Sequence, residues 1–464
     1  MGLLHAPPVL PVAARRGSAA DASIRLLVDD GPPVGFFRVE GGKHRGAIGP
    51  AEGQTIEALV RRATDAGVPI VGVLSTSGAD IHEGVASLHA WGGIAAALAA
   101  ASGVVPIVLV VTGPCVSGPA LLLGLADVVV MTVDAFAYVS GPAAVRSFTG
   151  VPTTHSSLGG APVHDLRSGV ASFVAADEED ALHVAADVLA FLPPNNATVA
   201  PVHASDDAVD RASRVAAEVV PSSPTASYDV RRVIEDLSDD GWYVELKPRH
   251  APNIVTALGR IGGHPVGFIA NQPSALAGTL DIEASQKAAR FVQWCDAFGI
   301  ALVSLVDTPG FQPGKDIEWR GMIRHGAELV HAYAAATVPR ISVILRKAYG
   351  GAYIVMDSKQ LGSDLCVSWP AAEIAVMGAS GAVQILHGKR LAALEDPDIA
   401  AEERAALEAD YAERYMTPAI ACARGYLDDV IDPLTTRFVL ASALEALLHK
   451  REHTPRRRHS NGPL

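Results

Sequence analysis

Cysteine is scarce in this 464-residue chain, with only Cys115, Cys295, Cys366 and Cys422. The four are scattered and no two form a C-x-x-C pair, so the sequence predicts neither a disulfide framework nor a zinc ribbon. This cysteine usage fits a reducing compartment, and we therefore expect a cytoplasmic protein.

Clustered positive charge is also largely missing. The chain has 37 Lys and Arg against 50 Asp and Glu, a net charge of −13. Its strongly basic run, Lys450-Arg451 followed by Arg456 to Arg458, stands near the C-terminal end. Nucleic-acid binding needs clustered basic side chains, so this balance disfavours nucleic acid as the main partner.

The sequence has no uninterrupted apolar run suited to a membrane span. No formal charge occurs from Ala86 to Ala126, but Gly and Pro cut that stretch into helix and strand lengths. A single spanning helix would not tolerate these breakers without neighbours, so we predict a buried core and no membrane association. The N-terminus has no positive region ahead of an apolar stretch and does not resemble a secretion signal.

What the chain does contain is a repeated pattern. I-V-L-V-V-T-G-P-C-V-S-G-P from Ile107 aligns without gaps with R-I-S-V-I-L-R-K-A-Y-G-G-A from Arg340, an offset of 233 positions (340 minus 107). Gly46 and Gly278 are related by nearly the same offset. Self-similarity at one fixed spacing indicates duplication, and it predicts two homologous α/β domains.

Strand patterns that feed helix patterns predict a parallel sheet with covering helices in each half. Pro, Ser and Asn punctuate residues 192–227, where we place the domain boundary. The charged segment from Glu395 to Arg414 predicts an exposed helix. The predicted organisation is a poorly ordered tail over 1–22, a first domain over 23–200, a linker over 201–227 and a second domain over 228–464.

Each copy of the repeat ends a buried strand in a glycine-containing turn. Glycine permits a positive φ there and leaves peptide N–H groups free to face a cleft. Such a turn is able to bind an oxyanion, although a glycine pair after a strand is also common in ordinary turns.

Longer motifs in the second half carry a family resemblance. They are N-Q-P-x-x-L-A-G-x-L-D from Asn271, V-D-T-P-G-F-x-P-G from Val306, R-K-A-Y-G-G-A-Y-I-V-M from Arg346 and W-P-x-A-E-I-A-V-M-G from Trp369. The first half matches in register through shorter motifs such as E-G-V at Glu83 and L-G-G at Leu158. Together they closely resemble the carboxyltransferase (β) subunit of biotin-dependent acyl-CoA carboxylases, of the acetyl/propionyl-CoA type.

The resemblance implies two crotonase-like (ClpP/crotonase) domains, the first holding acyl-CoA and the second receiving carboxybiotin. The implied reaction moves a carboxyl group from carboxybiotin to the α-carbon of acetyl-CoA or propionyl-CoA, giving malonyl-CoA or methylmalonyl-CoA. Biotin would arrive on a separate biotinylated α subunit, the biotin carboxylase or carrier, and no metal is expected in this subunit. The chain would form a homo-oligomer, typically a hexamer built from dimers.

Negative charge would develop on the biotin ureido oxygen and on the thioester enolate, so two oxyanion holes are required. The resemblance assigns the second hole to the N–H groups of Gly351 and Ala352, and the first to those of Ser117 and Gly118. The expected substrate contacts are Gly350, Ile354, Tyr353, Lys347, Gly78 and Ala79. Of these, Ile354 would favour a short acyl group, and Lys347 either steers the substrates or closes the turn.

The first half departs from the family pattern at three positions. Ser117 and Pro119 replace residues of the usual G-P-C-A-G-G-A turn, and Asp80 stands where an arginine is usual. Proline has no N–H, and a serine at positive φ is strained. Two alternatives therefore stay open: a biotin-independent crotonase-like decarboxylase of malonyl-type thioesters, and a non-catalytic CoA-binding paralogue.

Overall fold

The computed structural model describes residues 9–12, 14–28, 31–41, 43–450, 452 and 458–463. The chain divides into two compact units. The first comprises Met1–Pro201, Leu246–His250 and Ala297–Gly299, and the second comprises Val202–Glu245, Ala251–Asp296 and Ile300–Leu464. The domain limits drawn from the sequence stay predictions.

The first unit contains a sheet of eight strands among the described residues. These are β1 Leu10–Pro11, β2 Asp21–Leu26, β3 Pro33–Val39, β4 Ile70–Thr76, β5 Ile107–Val116, β6 Val128–Thr132, β7 Phe136–Tyr138 and β8 Phe173–Ala175. The order is β1-β2-β3-β4-β5-β6-β8, with β7 on β5. Pairing is antiparallel from β1 to β3 and parallel beyond.

The strand β1 lies within the tail predicted over 1–22, a segment that is partly outside the described residues. The helices of this unit are α1 Pro50–Ala66, α2 Val85–Ala101, α3 Pro142–Thr149, α4 His155–Gly159, α5 Ala161–Val163 and α6 Glu178–Leu189. Short 3₁₀ turns span Lys43–Arg45, Ile81–Glu83 and Gly118–Leu125, and a π turn spans His164–Ser168.

The second unit repeats this plan, again with eight strands in the part of the chain that is described. They are β9 Tyr243–Leu246, β10 Ile254–Ile261, β11 His264–Asn271, β12 Ala301–Thr308, β13 Arg340–Tyr349, β14 Leu365–Ser368, β15 Glu373–Ala375 and β16 Asp429–Val430. The order is β16-β14-β13-β12-β11-β10-β9, with β15 on β13. The β10–β11 pair is antiparallel, and the strands from β11 to β16 pair in parallel.

The second unit is rich in helix. Its helices are α7 Arg214–Val219, α8 Arg231–Leu237, α9 Ile282–Ala297, α10 Lys315–Trp319, α11 Met322–Ala335, α12 Gly350–Val355, α13 Ala379–Leu391, α14 Pro397–Tyr415, α15 Pro418–Ala423 and α16 Thr436–Leu447. The 3₁₀ turns are Asp239–Gly241, Leu276–Gly278, Lys359–Leu361 and Pro433–Thr435.

The central strands form because their apolar β-branched residues are buried on both faces, as parallel sheets require. Every residue of β13 is buried, and the first five of β5 are buried as well. Each unit has its own hydrophobic core around its sheet. The uncharged stretch forms α2, β5 and the following 3₁₀ turn. Within the described residues, no helix has the length and apolarity that crossing a bilayer would need.

Details of the backbone confirm the duplication. The β4–β5 register shifts between Leu74 and Thr76, and the β12–β13 register shifts between Val306 and Thr308. Gly46 and Gly278 both have φ +75°, and each lies so close to a strand-end carbonyl that a Cβ would collide with it. The duplication therefore preserves both the sheet and the loop that meets its carboxyl edge.

Candidate active site

The turn after β13 has the conformation that the sequence predicts. Tyr349 is extended, Gly350 has φ +60°, and α12 begins at Gly350. The N–H groups of Gly351 and Ala352 fall in the first turn of this helix, where no intrahelical acceptor exists. Gly351 is exposed and Ala352 is fully buried. Two adjacent peptide donors are thus available at the end of a rigid strand.

A cavity of about 550 Å³ adjoins this turn. Gly350, Gly351, Tyr353 and Ile354 all line it, so the structure brings four of the predicted second-half residues to one place. Ile354 is partly exposed there, and Tyr353 is mostly buried. The volume lies within the range of about 300–1,000 Å³ that is typical of small-molecule sites.

The cavity also has an aromatic wall that the sequence reasoning missed. Tyr411 and Tyr415 on α14, Tyr426, and the guanidinium-bearing Arg424 line it. The α14 helix has no buried residue, in agreement with an exposed charged helix, yet it contributes this pair of rings 5.0 Å apart. The available signal was two tyrosines spaced four residues apart within a charged segment, which places them on one helix face.

The side chain of Lys347 contacts other groups and is not among the residues that line this cavity. Its ammonium donates to the carbonyl of Pro224 at 3.0 Å and lies 4.0 Å from the carboxylate of Asp307. Burial lowers the pKa of Lys347, partly offset by Asp307. These contacts favour the role of closing the turn over the role of steering a substrate.

Arg346 anchors the same strand end from the interior. Its Nε donates to Asp307 at 3.0 Å, and its Nη1 donates to the carbonyls of Ser223 and Ala226, both at 2.7 Å. Its guanidinium also lies over the ring of Tyr228. Burial raises the pKa of Asp307, and Arg346 and Lys347 oppose that rise. The turn at Gly350 therefore rests on a buried, hydrogen-bonded ion pair.

The turn after β5 has the same backbone but different donors. Ser117 has φ +65°, matching Gly350, and a 3₁₀ turn begins at Gly118. The N–H of Ser117 donates to the carbonyl of Tyr138 at 2.9 Å, and Pro119 has no N–H to offer. That leaves the N–H of Gly118 as the donor of this turn. The role of Ser117 as a donor stays a prediction, and its bond to Tyr138 argues against it.

Two further predicted residues lie beside the first turn. Gly78, at φ +106°, approaches Ser117 so closely that a Cβ on Gly78 would come within 3.0 Å of the Ser117 Cβ. Ala79 pairs with Ile48 in an isolated parallel bridge. Gly118 packs against the indole of Trp91, which a Cβ at position 118 would meet at 2.7 Å. The carboxyl ends of β4 and β5 therefore meet at this turn.

Comparison with known proteins shows which family has this architecture. The carboxyl transferase domain family matches residues 30–462. A propionyl-CoA carboxylase beta chain from Saccharopolyspora erythraea is 43% identical over 445 residues, 94% of this chain and 82% of that protein. The methylmalonyl-CoA carboxyltransferase 12S subunit from Propionibacterium freudenreichii subsp. shermanii is 43% identical over 418 residues, 90% of this chain and 79% of that protein.

A solved structure of transcarboxylase 12S, described as a hexamer assembly with methylmalonyl-coenzyme A and methylmalonic acid bound, superposes with a TM-score of 0.90. It is 40% identical and covers 96% of this chain and 84% of that one.

The fold class is that of two crotonase-like α/β domains related by duplication, as expected from the repeat. The chain belongs to the carboxyl transferase domain family. This finding confirms the resemblance drawn from the motifs and the expectation of an enzyme that transfers a carboxyl group.

Proposed function

We propose that the chain is the carboxyltransferase subunit of a biotin-dependent carboxylase acting on a short acyl-CoA, acetyl-CoA or propionyl-CoA. The observation that carries the proposal is the turn at Gly350, where Gly350 and Gly351 at the start of α12 line a cavity of about 550 Å³. The kinship with a propionyl-CoA carboxylase beta chain supports the choice of substrate class.

The cavity suits a small bicyclic urea such as biotin. Its lining is mainly apolar and aromatic, and the peptide groups of Gly350 and Gly351 form part of its wall. Carboxybiotin, borne by a partner subunit, would supply the carboxyl group. In this arrangement the N–H groups of Gly351 and Ala352 stabilise negative charge on an oxygen at the cavity wall, and donors held in place beforehand do so without reorganisation.

The first turn would serve the thioester. The N–H of Gly118 stabilises the enolate oxygen, while Gly78 and Ala79 border the acyl-CoA at the carboxyl ends of β4 and β5. With Pro119 in the place of Ala352, this turn has one donor fewer than its counterpart. We therefore expect a slower enzyme than one with two donors, since one oxyanion donor contributes about 3 kcal/mol to lowering the barrier.

We further propose that the chain forms a homo-oligomer, built from dimers into a hexamer, with a biotinylated α subunit as its partner. The kinship with transcarboxylase 12S, whose structure is described as a hexamer assembly, supports self-association, and exposed large apolar side chains are available for it. They occur at matching places in both halves: Val139 and Phe148 after β7, and Val376, Ile385 and Leu386 after β15.

We also propose a cytoplasmic location. The described cysteines are all free, in keeping with that reducing compartment.

The test runs the reaction in reverse, so that the partner need not be known. Malonyl-CoA or methylmalonyl-CoA is incubated with the protein, with and without free biotin, and acetyl-CoA or propionyl-CoA is quantified by chromatography. Product that depends on biotin supports the proposal. Product without biotin would indicate the decarboxylase, and CoA binding without turnover would indicate the non-catalytic paralogue.

A further inference from the structure

Two histidines and an aspartate meet at the carboxyl end of β4. The Nδ1 of His44 lies 2.8 Å from the carboxylate of Asp80, and the rings of His44 and His82 stack with centroids 4.3 Å apart. One potential ligand atom from each of the three residues lies within 4.8 Å of the others. Both histidines are exposed, so the cluster is open to solvent.

The backbone around this cluster is held firmly. The N–H of Ser77 donates to the carbonyl of Arg45, and the hydroxyl of Ser77 donates to the carbonyl of His44. Both backbone groups of Asp80 are hydrogen-bonded. Its N–H donates to the carbonyl of Ile48, and its carbonyl accepts from the hydroxyl of Ser87. The loop at His44 and the turn at Asp80 are therefore pinned to each other before any ligand binds.

The duplicated half shows that this scaffold does not require these side chains. There the bridge between Leu280 and Phe311 repeats the one between Ile48 and Ala79, and Leu276 has the same left-handed backbone as His44. At the same offset of 232 (280 minus 48), the positions of the cluster are occupied by Leu276, Gln312 and Gly314. One backbone thus carries three ligand-type residues in the first half and none in the second.

We propose that His44, Asp80 and His82 bind one divalent metal ion of the Zn²⁺ class. Two imidazole nitrogens with one carboxylate oxygen are a ligand set that borderline divalent metals prefer. Zinc bonds to such ligands are about 2.0–2.2 Å long, so binding requires the three side chains to turn toward one shared centre. Three protein ligands leave a coordination position open.

The electrostatics of the cluster suit this role. The hydrogen bond from His44 and the peptide N–H of His82 lower the pKa of Asp80, although desolvation opposes them. Carboxylates bind metal ions in their ionised form.

A bound ion would change the charge at the edge of the first domain. A divalent ion bound to the Asp80 carboxylate turns a local charge of −1 into +1. The open coordination position then accepts an anionic oxygen, such as one from a CoA phosphate. This consequence, unlike the metal site itself, rests on the proposed function.

The metal site is tested by binding alone. The untagged full-length protein is stripped with a chelator and titrated with Zn²⁺ by calorimetry, without any CoA compound. We expect one equivalent per chain, with affinity about tenfold or more weaker in His82→Ala and Asp80→Asn, in line with the effect of altering a metal site. The control is His89→Ala, an exposed histidine on α2 outside the cluster, which should bind like the wild type.

A spectroscopic readout separates coordination from loose association. Co²⁺ in place of Zn²⁺ should give visible absorption bands in the wild type and in His89→Ala but not in His82→Ala. The absence of stoichiometric binding by the wild type, or binding by all variants alike, would overturn the proposal. Circular dichroism of the metal-free variants verifies their folding. A Zn²⁺-dependent fall in KM for acyl-CoA, seen in the wild type alone, would test the role toward substrate separately.

Discussion

The residue at the third position of each turn decides how many peptide N–H groups that turn presents. Ala352 keeps its N–H in the second turn, and Pro119 has none in the first. Ser117 does not make up the difference, because its N–H is bonded to Tyr138. The two turns thus share one backbone and differ in donor number.

Replacing Pro119 by Ala should restore the missing donor. We expect kcat for carboxyl transfer to rise roughly tenfold or more, since one such donor is worth about 10²–10³ in kcat. Steady-state kinetics of the biotin-dependent reaction measure this. Pro142→Ala, at the first position of α3, is the control and should leave kcat unchanged. An unaltered or lower kcat in a folded Pro119→Ala protein would show that the first turn is not an oxyanion site.

Gly350→Ala should damage the second turn. An alanine at φ +60° costs about 1–2 kcal/mol, and its Cβ would lie 3.1 Å from the carbonyl oxygen of Val376. We expect a lower melting temperature and a lower kcat, because the strain is relieved by shifting the donors that follow. Gly381→Ala in α13 is the matched control and should be neutral or stabilising by up to about 1 kcal/mol. Full activity in Gly350→Ala would contradict the role of this turn.

At the scale of elements, the end of β13 is secured by the buried pair of Arg346 and Asp307, both almost fully inaccessible. Arg346→Met should cost about 3–5 kcal/mol, because it leaves a buried carboxylate without its main partner. Urea unfolding monitored by fluorescence measures the loss. Arg61→Met, which breaks an exposed pair with Glu57 on α1, should cost no more than about 0.5 kcal/mol. Equal losses in the two variants would contradict this account.

The segment after α12 should make stability depend on pH. Burial raises the pKa of Asp357 to about 7, with Arg340 opposing the rise. A carboxyl whose pKa is higher in the folded state holds its proton more tightly when folded. The contribution of Asp357 to the free energy of unfolding is therefore full below the pKa of the unfolded state. It is lost as the pH rises from about 4 to about 7.

The difference between wild type and Asp357→Asn isolates this contribution. Relative to the variant, the wild type should lose up to about 4 kcal/mol across that pH range, at 1.36 kcal/mol per pKa unit. Chemical unfolding at several pH values between 4 and 8 measures the difference. A difference that does not vary with pH would show that Asp357 has an ordinary pKa.

At the scale of the whole molecule, the proposed homo-oligomer predicts that copies of the chain associate through exposed apolar residues such as Phe148. Phe148 on α3 is 93% exposed. Phe148→Asp should shift the protein toward smaller species in light scattering coupled to size exclusion, because an aspartate in an apolar interface is left desolvated and unpaired. Ile399→Asp, at an exposed site on α14, is the control and should leave the mass unchanged. A wild-type protein of monomer mass would rule out the proposed assembly.

The sequence by itself determined the duplication, the central strands and the glycine turn at Gly350. These are local properties: β-branched apolar runs make buried strands, and a glycine at positive φ makes the turn, wherever the rest of the chain lies. The family could also be identified, because its motifs are continuous stretches of sequence.

Only the tertiary structure decided which groups meet. The N–H of Ser117 donates to the carbonyl of Tyr138, the tyrosines of α14 line the cavity at Gly351, and His44 lies beside Asp80. In each case the partners are separated along the chain and brought together by the register of neighbouring strands and by the packing of loops at the sheet edge. The periodicity and spacing of residues in the sequence do not predict such contacts, because burial and pairing depend on the folded backbone as a whole.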